Sequence, residues 1–314
     1  MLAVLWLSAA LSAIAFSLAN TVRGEVERTS TAVDGLRSYY LAQAGIDRGI
    51  LYVEWAVEST APPNLPFHYV PGNPILPFNF PSGEATVQVI PETSKLNLNT
   101  ASPQNLLRLL MALGVDPDHA AQIVAGIVDW RTPGGTSQFD SFYLSLTPSF
   151  RSRHSSFEET EELLLVRGIT PELYFGGYNH DAQGHLAPRA GLRDCVTTLG
   201  QVDGIDINTA QPAVLVAVGI PPDAAAAIVA RRVQQPFKNA GELAGFAPGG
   251  GEAYAGLRVG GKSILTLRST ARIRLPNGQL SDLRRIVAAT VSFGRPDDLT
   301  RVDVLRWYDN AWTP

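Results

Sequence analysis

Cysteine occurs once in these 314 residues, at position 195, which excludes an intramolecular disulfide. A small bridge-stapled fold is thereby ruled out. An oxidising compartment is not, because a chain with 45% hydrophobic residues can bury a core of its own. Charge of one sign is not concentrated either: the net charge is -4 and the isoelectric point about 5.8. No bulk field draws the chain to a polyanion, so DNA binding would need a local basic patch. No Gly-x-Ser-x-Gly elbow is present, and no pair of carboxylates stands out as acid and base. GLRVGGKS, Gly256 to Ser263, spells a phosphate loop, but it lacks the preceding strand and following helix that would cradle a phosphate. His180 and His185 flank Asp181 in NHDAQGH at a spacing that fits no common zinc pattern. The expectation is a protein that is not an enzyme.

Charge is missing altogether from the first 22 residues. MLAVLWLSAALSAIAFSLANTV reaches Arg23 without an acid or a base, and at about 1.5 Å per residue it spans roughly 33 Å, close to a bilayer's hydrocarbon thickness. A single membrane helix is expected at 1-22. A cleavable signal peptide is the rival reading, since Ala13-Ile14-Ala15 imitates a cleavage pattern, although a basic start is missing and the apolar run is long. Proline is absent from Arg23 to Trp55, where Val26, Val33, Leu36, Tyr40 and Ala44 follow one helical face. An amphipathic continuation is expected over 23-57, with a span followed by a separate core helix as the alternative. Gly24, Gly35, Gly45 and Gly49 each weaken a helix by up to about 1 kcal/mol, so this one is expected to bend or to lean on a globular domain. Leu5, Trp6, Leu11, Ile14, Phe16 and Leu18, then Val26, Val33, Leu36 and Tyr40, form the candidate membrane and assembly surface.

Prolines at 62, 63, 66, 71, 74, 77 and 81 exclude helix and central strand and predict an extended connection. GEATVQVIPE then alternates, with Ala85, Val87 and Val89 on one side of a short strand. Beyond Lys262 the period is two again: Leu265, Leu267, Ala271 and Ile273 oppose Thr266, Arg268, Thr270 and Arg272. Pro276-Asn277-Gly278 turns the chain, Val287 to Phe293 alternates, and RVDVLRWYD supplies a third strand of an antiparallel meander.

Between these strands one unit occurs twice. LNLNTA leads through Leu106, Leu109 and Leu110 to Gly114, then to AAQIVAGIVDW; IDINTA leads through Val214, Leu215 and Val218 to Gly219, then to AAAAIVARR. Thr100 and Thr209 are the candidate N-caps of the first helices. This is the outline of a helix-hairpin-helix. Its hairpins read GVD and GIPPD, where an acid repels phosphate and proline removes a donor, so packing rather than nucleic acid is expected, with Arg231 and Arg232 left as a basic pair. Asp129 and Asp140 bracket a Gly-rich loop of the kind that can hold calcium or simply turn the chain.

The N-terminal membrane helix, YYLAQAGIDRGI, LNLNTA leading to IVDWR, FEETEELLLVRGITPELYFG, DINTA leading to IVARR and a terminal VLRWYDN together resemble the minor pseudopilin K family of type II secretion systems, in order and along nearly the whole chain. The resemblance implies an α+β, pilin-like fold: a long N-terminal membrane helix and antiparallel sheet, with a large all-α insertion of helix-hairpin-helix or SAM-like type. The expected organisation is an anchor at 1-22, its continuation at 23-57, a connection and first strand at 58-94, helical subdomains at 95-204 and 205-261, and the sheet at 262-314. It also implies a non-enzymatic subunit at the tip of the periplasmic pseudopilus, anchored in the inner membrane and assembled with minor pseudopilins I, J and H. A membrane-anchored periplasmic DNA receptor is the alternative. Most pilin relatives carry a membrane glutamate that pairs with a neighbour's terminal amine, and residues 1-22 contain no acid, as in the K family. A basic leader with its cleavage glycine does not precede Met1, so either the start lies upstream or this chain begins near the mature end. Calcium is the one cofactor implied, with Asp129 and Asp140 as its candidates, although Arg131, Thr132 and Pro133 stand where further acids would help.

Overall fold

A computed structural model of the chain describes residues 1-58, 74-134, 137-180, 184-200, 204-246, 252-260, 264-294 and 302-311. The first element, α1, runs unbroken from Leu2 to Glu58, joining the apolar span and its polar continuation in one helix. No residue from Leu2 to Arg37 is buried, a free length of about 54 Å. Beyond it Ser38, Leu41, Ala42, Gly45, Ile46, Gly49 and Val53 are buried at helical spacing. The candidate surface residues Leu5, Trp6, Leu11, Ile14, Phe16, Leu18, Val26, Val33, Leu36 and Tyr40 are all exposed. The stripe that meets the sheet is therefore a different one, built partly of glycine and alanine.

The extended connection lies mostly outside the described residues, but its end forms a strand, β1 at Ile75-Phe80, which pairs antiparallel with β2 at Gly83-Pro91. Its proline is tolerated because β1 is an edge. The chain then enters the helical head through β3 (Leu96-Asn97), α2 (Pro103-Ala112), α3 (Pro117-Arg131), α4 (Asp140-Leu144) and α5 (Pro171-Phe175). A hairpin of β4 (Gly177-His180) and β5 (Leu186-Arg189) brackets the NHDAQGH stretch; Asp181 lies outside the described residues. Next come α6 (Leu192-Cys195), β6 (Val196-Thr197), β7 (Ile205-Asp206), α7 (Pro212-Ala217), α8 (Pro222-Gln234), α9 (Glu252-Ala255) and β8 (Leu257-Arg258). The chain returns to the sheet as β9 (Ile264-Ile273), β10 (Arg285-Phe293) and β11 (Val302-Tyr308), the three strands expected from the alternation. The phosphate-loop spelling thus takes in the short β8 and is followed by a strand where a nucleotide site needs a helix; Lys262 lies outside the described residues.

The sheet order is β1-β2-β9-β10-β11, all antiparallel, so the strand before the head joins the strand after it, with Pro91 opposite Leu265. One face packs against α1: Ala85, Val87, Leu265, Leu267, Val287, Ala289 and Val291 share a core with Leu41, Ala42 and Ile46. The other face is more polar, and the head covers part of it, burying Thr266, Arg268, Ala288 and Thr290.

Where head and sheet meet, Glu92 is 5% exposed and ion-paired with Lys95 at 2.9 Å. It accepts a hydrogen bond from Thr266 Oγ1 at 2.7 Å, and Thr266 in turn lies 2.9 Å from Thr290 Oγ1. Burial alone would raise the Glu92 carboxyl, but the Lys95 charge and hydrogen bonds from Thr197, Lys95 and Thr266 hold it below its ordinary value. A depressed carboxyl stabilises the fold above its unfolded pKa, and the contribution is lost as pH falls through the folded value. Glu92→Gln is therefore expected to cost about 2-3 kcal/mol at neutral pH. The difference from the unsubstituted chain should shrink below about pH 4. Urea denaturation of both chains at the two pH values measures it.

Candidate functional site

The two units of the head share their interior as well as their outline. In each, a strand residue shapes the turn that follows: Asn99 N donates to Asn97 Oδ1 at 2.8 Å, and Asn208 N donates to Asp206 Oδ1 at 3.4 Å. The Asn of each Asn-Thr-Ala then clasps the backbone of a distant phenylalanine. Asn99 Oδ1 accepts from Phe157 N at 2.7 Å and its amide donates to Phe157 O at 3.0 Å. Asn208 does the same with Phe237, at 2.8 Å in both directions. Each first helix ends on a glycine at positive φ, Gly114 at 91° and Gly219 at 103°, which lets the chain reverse into the second helix without Cβ strain. The two units pack on each other through α2 and α7 within a single core.

Thr100 and Thr209 are not the N-caps. Proline at 103 and 212 fixes the first helical residue, so each cap falls two residues beyond the threonine. Ser102 accepts from Asn105 N at 3.1 Å, and Gln211 makes no side-chain capping bond. Thr209 instead donates to the Asp206 carboxylate, and Thr100 is exposed. Ser-Pro and Gln-Pro were the signals for these starts.

The second-helix arginines are engaged within the units. Arg131 donates to Leu98 O and, at 2.7 Å, to Ala101 O; Arg232 donates to Ile207 O at 2.8 Å. Burial pushes both guanidinium groups down from their ordinary value. Arg231 lies over the Phe237 ring, 5.1 Å from its centre, and reaches Glu242 at 3.3 Å. The basic pair at 231-232 thus holds the second unit together rather than forming a free basic patch.

The first unit differs by an insertion between Arg131 and Phe157. Asp129, in the last turn of α3, and Asp140, which opens α4, approach one corner there, joined by Ser152 and His154, which the sequence did not single out. Ser152 Oγ lies 3.5 Å from Asp129 Oδ2 and 3.0 Å from His154 Nε2, and that same ring nitrogen is 3.5 Å from Asp140 Oδ1. This is no catalytic triad: Ser152 Oγ lies 3.3 Å from Nδ1 and 3.0 Å from Nε2, beside both ring nitrogens rather than in line with one, and Asp140 meets that same Nε2 instead of holding the opposite nitrogen. Calcium would need roughly six to eight oxygens around one point. Among the described residues no group of three or more His, Cys, Asp or Glu is placed to hold a metal ion. Among the described side chains that close this corner, one is an imidazole rather than an oxygen donor.

A free apolar helix, a helix-backed antiparallel sheet and an inserted helical head define a mixed α/β protein whose long N-terminal helix is one candidate membrane span. Two family models, both for type II secretion system protein K, match residues 89-175 and 205-258. Both matched regions are those of the type II secretion system protein K family. A chain in the crystal structure of the GspK-GspI-GspJ complex from the enterotoxigenic Escherichia coli type 2 secretion system shares the fold. Its TM-score is 0.56 at 16% identity, covering 91% of this chain and 100% of that one. No curated protein gives a significant match.

Proposed function

We propose that the chain is a minor pseudopilin, anchored in the inner membrane by α1 with its bulk in the periplasm, that stands at the tip of the type II secretion pseudopilus. There it meets minor pseudopilins I and J, with H joining the complex, and nucleates or caps assembly for protein export across the outer membrane. The role is structural rather than catalytic. The observation that carries this reading is the free length of α1: residues 2-37 keep an apolar and then mixed surface exposed, while the rest of the helix is committed to the sheet. A head carried beside the sheet would obstruct a subunit stacked above it, which suits the end of a filament. The paired helices are read as helix-hairpin-helix units turned to packing, since their arginines bind backbone carbonyls of their own unit. The complex of GspK with GspI and GspJ supports the choice of partners.

Co-purification tests the helix. A chain beginning at residue 23 is expected to capture soluble I and J, and one beginning at residue 38 to bind them at least about tenfold more weakly. Equal capture by both would overturn the packing role of the free helix. Truncation near residue 60 would not test it, because it removes Leu41, Ala42, Ile46 and Val53 from the core.

A further inference from the structure

Calcium is the cofactor that the family resemblance implies for the head, and the corner between α3 and α4 is where its candidate ligands stand. The two carboxylates there already have company. Asp140 Oδ2 accepts from Ser137 N at 3.2 Å, while Asp140 Oδ1 is buried, receives no hydrogen bond, and faces His154 Nε2 at 3.5 Å. His154 Nδ1 lies 3.3 Å from the Asp129 carbonyl, and Ser152 Oγ sits between the ring and the Asp129 carboxylate. His154 has φ 48°, the single positive φ of a non-glycine residue among those described, so the backbone is held in a disfavoured region to keep the ring in this place. Arg131, two residues after Asp129, turns to the carbonyls of Leu98 and Ala101 instead of offering an oxygen. A hard cation selects oxygen ligands, and an imidazole between the two acids is a poor substitute for them.

We propose that this corner is closed by its own side chains, with the His154 ring standing between Asp129 and Asp140 where a cation would bridge them, and that the head folds without calcium. The probe is calcium itself, with the full-length chain in detergent. Melting temperatures in excess EGTA and in millimolar calcium should agree within about 1 °C, whereas a site filled at a hundredfold excess over its dissociation constant would raise melting by about 5-10 °C. Metal analysis after dialysis against calcium should find no stoichiometric ion. His154→Ala should melt lower than the unsubstituted chain by the same interval in EGTA and in calcium. A saturable rise with calcium, one bound calcium per chain, or a His154→Ala chain that melts like the parent in EGTA would each overturn the proposal. Should His154→Ala fail to accumulate, the two measurements on the unsubstituted chain decide alone.

Discussion

Asn208→Ala is expected to destabilise the chain by about 3 kcal/mol, roughly 10 °C of melting temperature, the largest loss from any single polar side chain of the head. Asn208 is 5% exposed, and both ends of its carboxamide are spent on the backbone N-H and C=O of Phe237, itself 1% exposed. Alanine leaves both backbone groups buried without a partner. Water has little access there, so the desolvation cost remains in full. Asn208→Asp should fare no better, since it can still accept from Phe237 N but loses the donor and sets a carboxylate against the Phe237 carbonyl. Asn99→Ala removes the same pair of bonds in the first unit, where Asn99 is only half-buried, and a smaller loss is expected. Urea denaturation of the three variants in detergent measures the order.

Gly45→Val is expected to cost about 3 kcal/mol by wedging α1 off the sheet. A Cβ at position 45 would stand 2.9 Å from Ala85 Cβ and 3.4 Å from Val87 Cγ2, and would press on Ser269 Oγ. Ala85 and Val87 belong to β2, a strand interior to the sheet that cannot yield without disturbing its pairing with β9. Helix propensity favours the substitution by up to about 1 kcal/mol, too little to offset the overlap. Gly24→Ala provides the contrast: nothing lies within 4 Å of a Cβ there, so the propensity gain should appear uncompensated. Hydrogen exchange would place the Gly45→Val damage on β2 and β9, with the head retaining its protection.

Strands with one buried face were legible because alternation reports that face directly: Leu265, Leu267, Ala271 and Ile273 all lie in the core. The face of α1 that meets the sheet was not legible, because close approach selects Ala42, Gly45 and Gly49, which carry little hydrophobic signal, while the bulkier Val33, Leu36 and Tyr40 stay exposed. β1 was hidden by Pro77, which an edge strand tolerates. In the repeated units the sequence drew notice to the threonines, but the clasping falls to the asparagines beside them, whose phenylalanine partners lie 58 and 29 residues further on. Asp129 and Asp140 were readable as a pair. Ser152 and His154 were not, since only the folded insertion brings them there.

The pairing of Pro91 with Leu265 means that the chain leaves the sheet and comes back to it on adjacent strands, one ladder spacing of about 5 Å apart. The entire helical head is therefore an excursion from what would otherwise be a hairpin. Splicing a tight turn across that gap would yield a miniature subunit with rod and sheet intact, in which anchoring and lateral association are separated from whatever the head contributes.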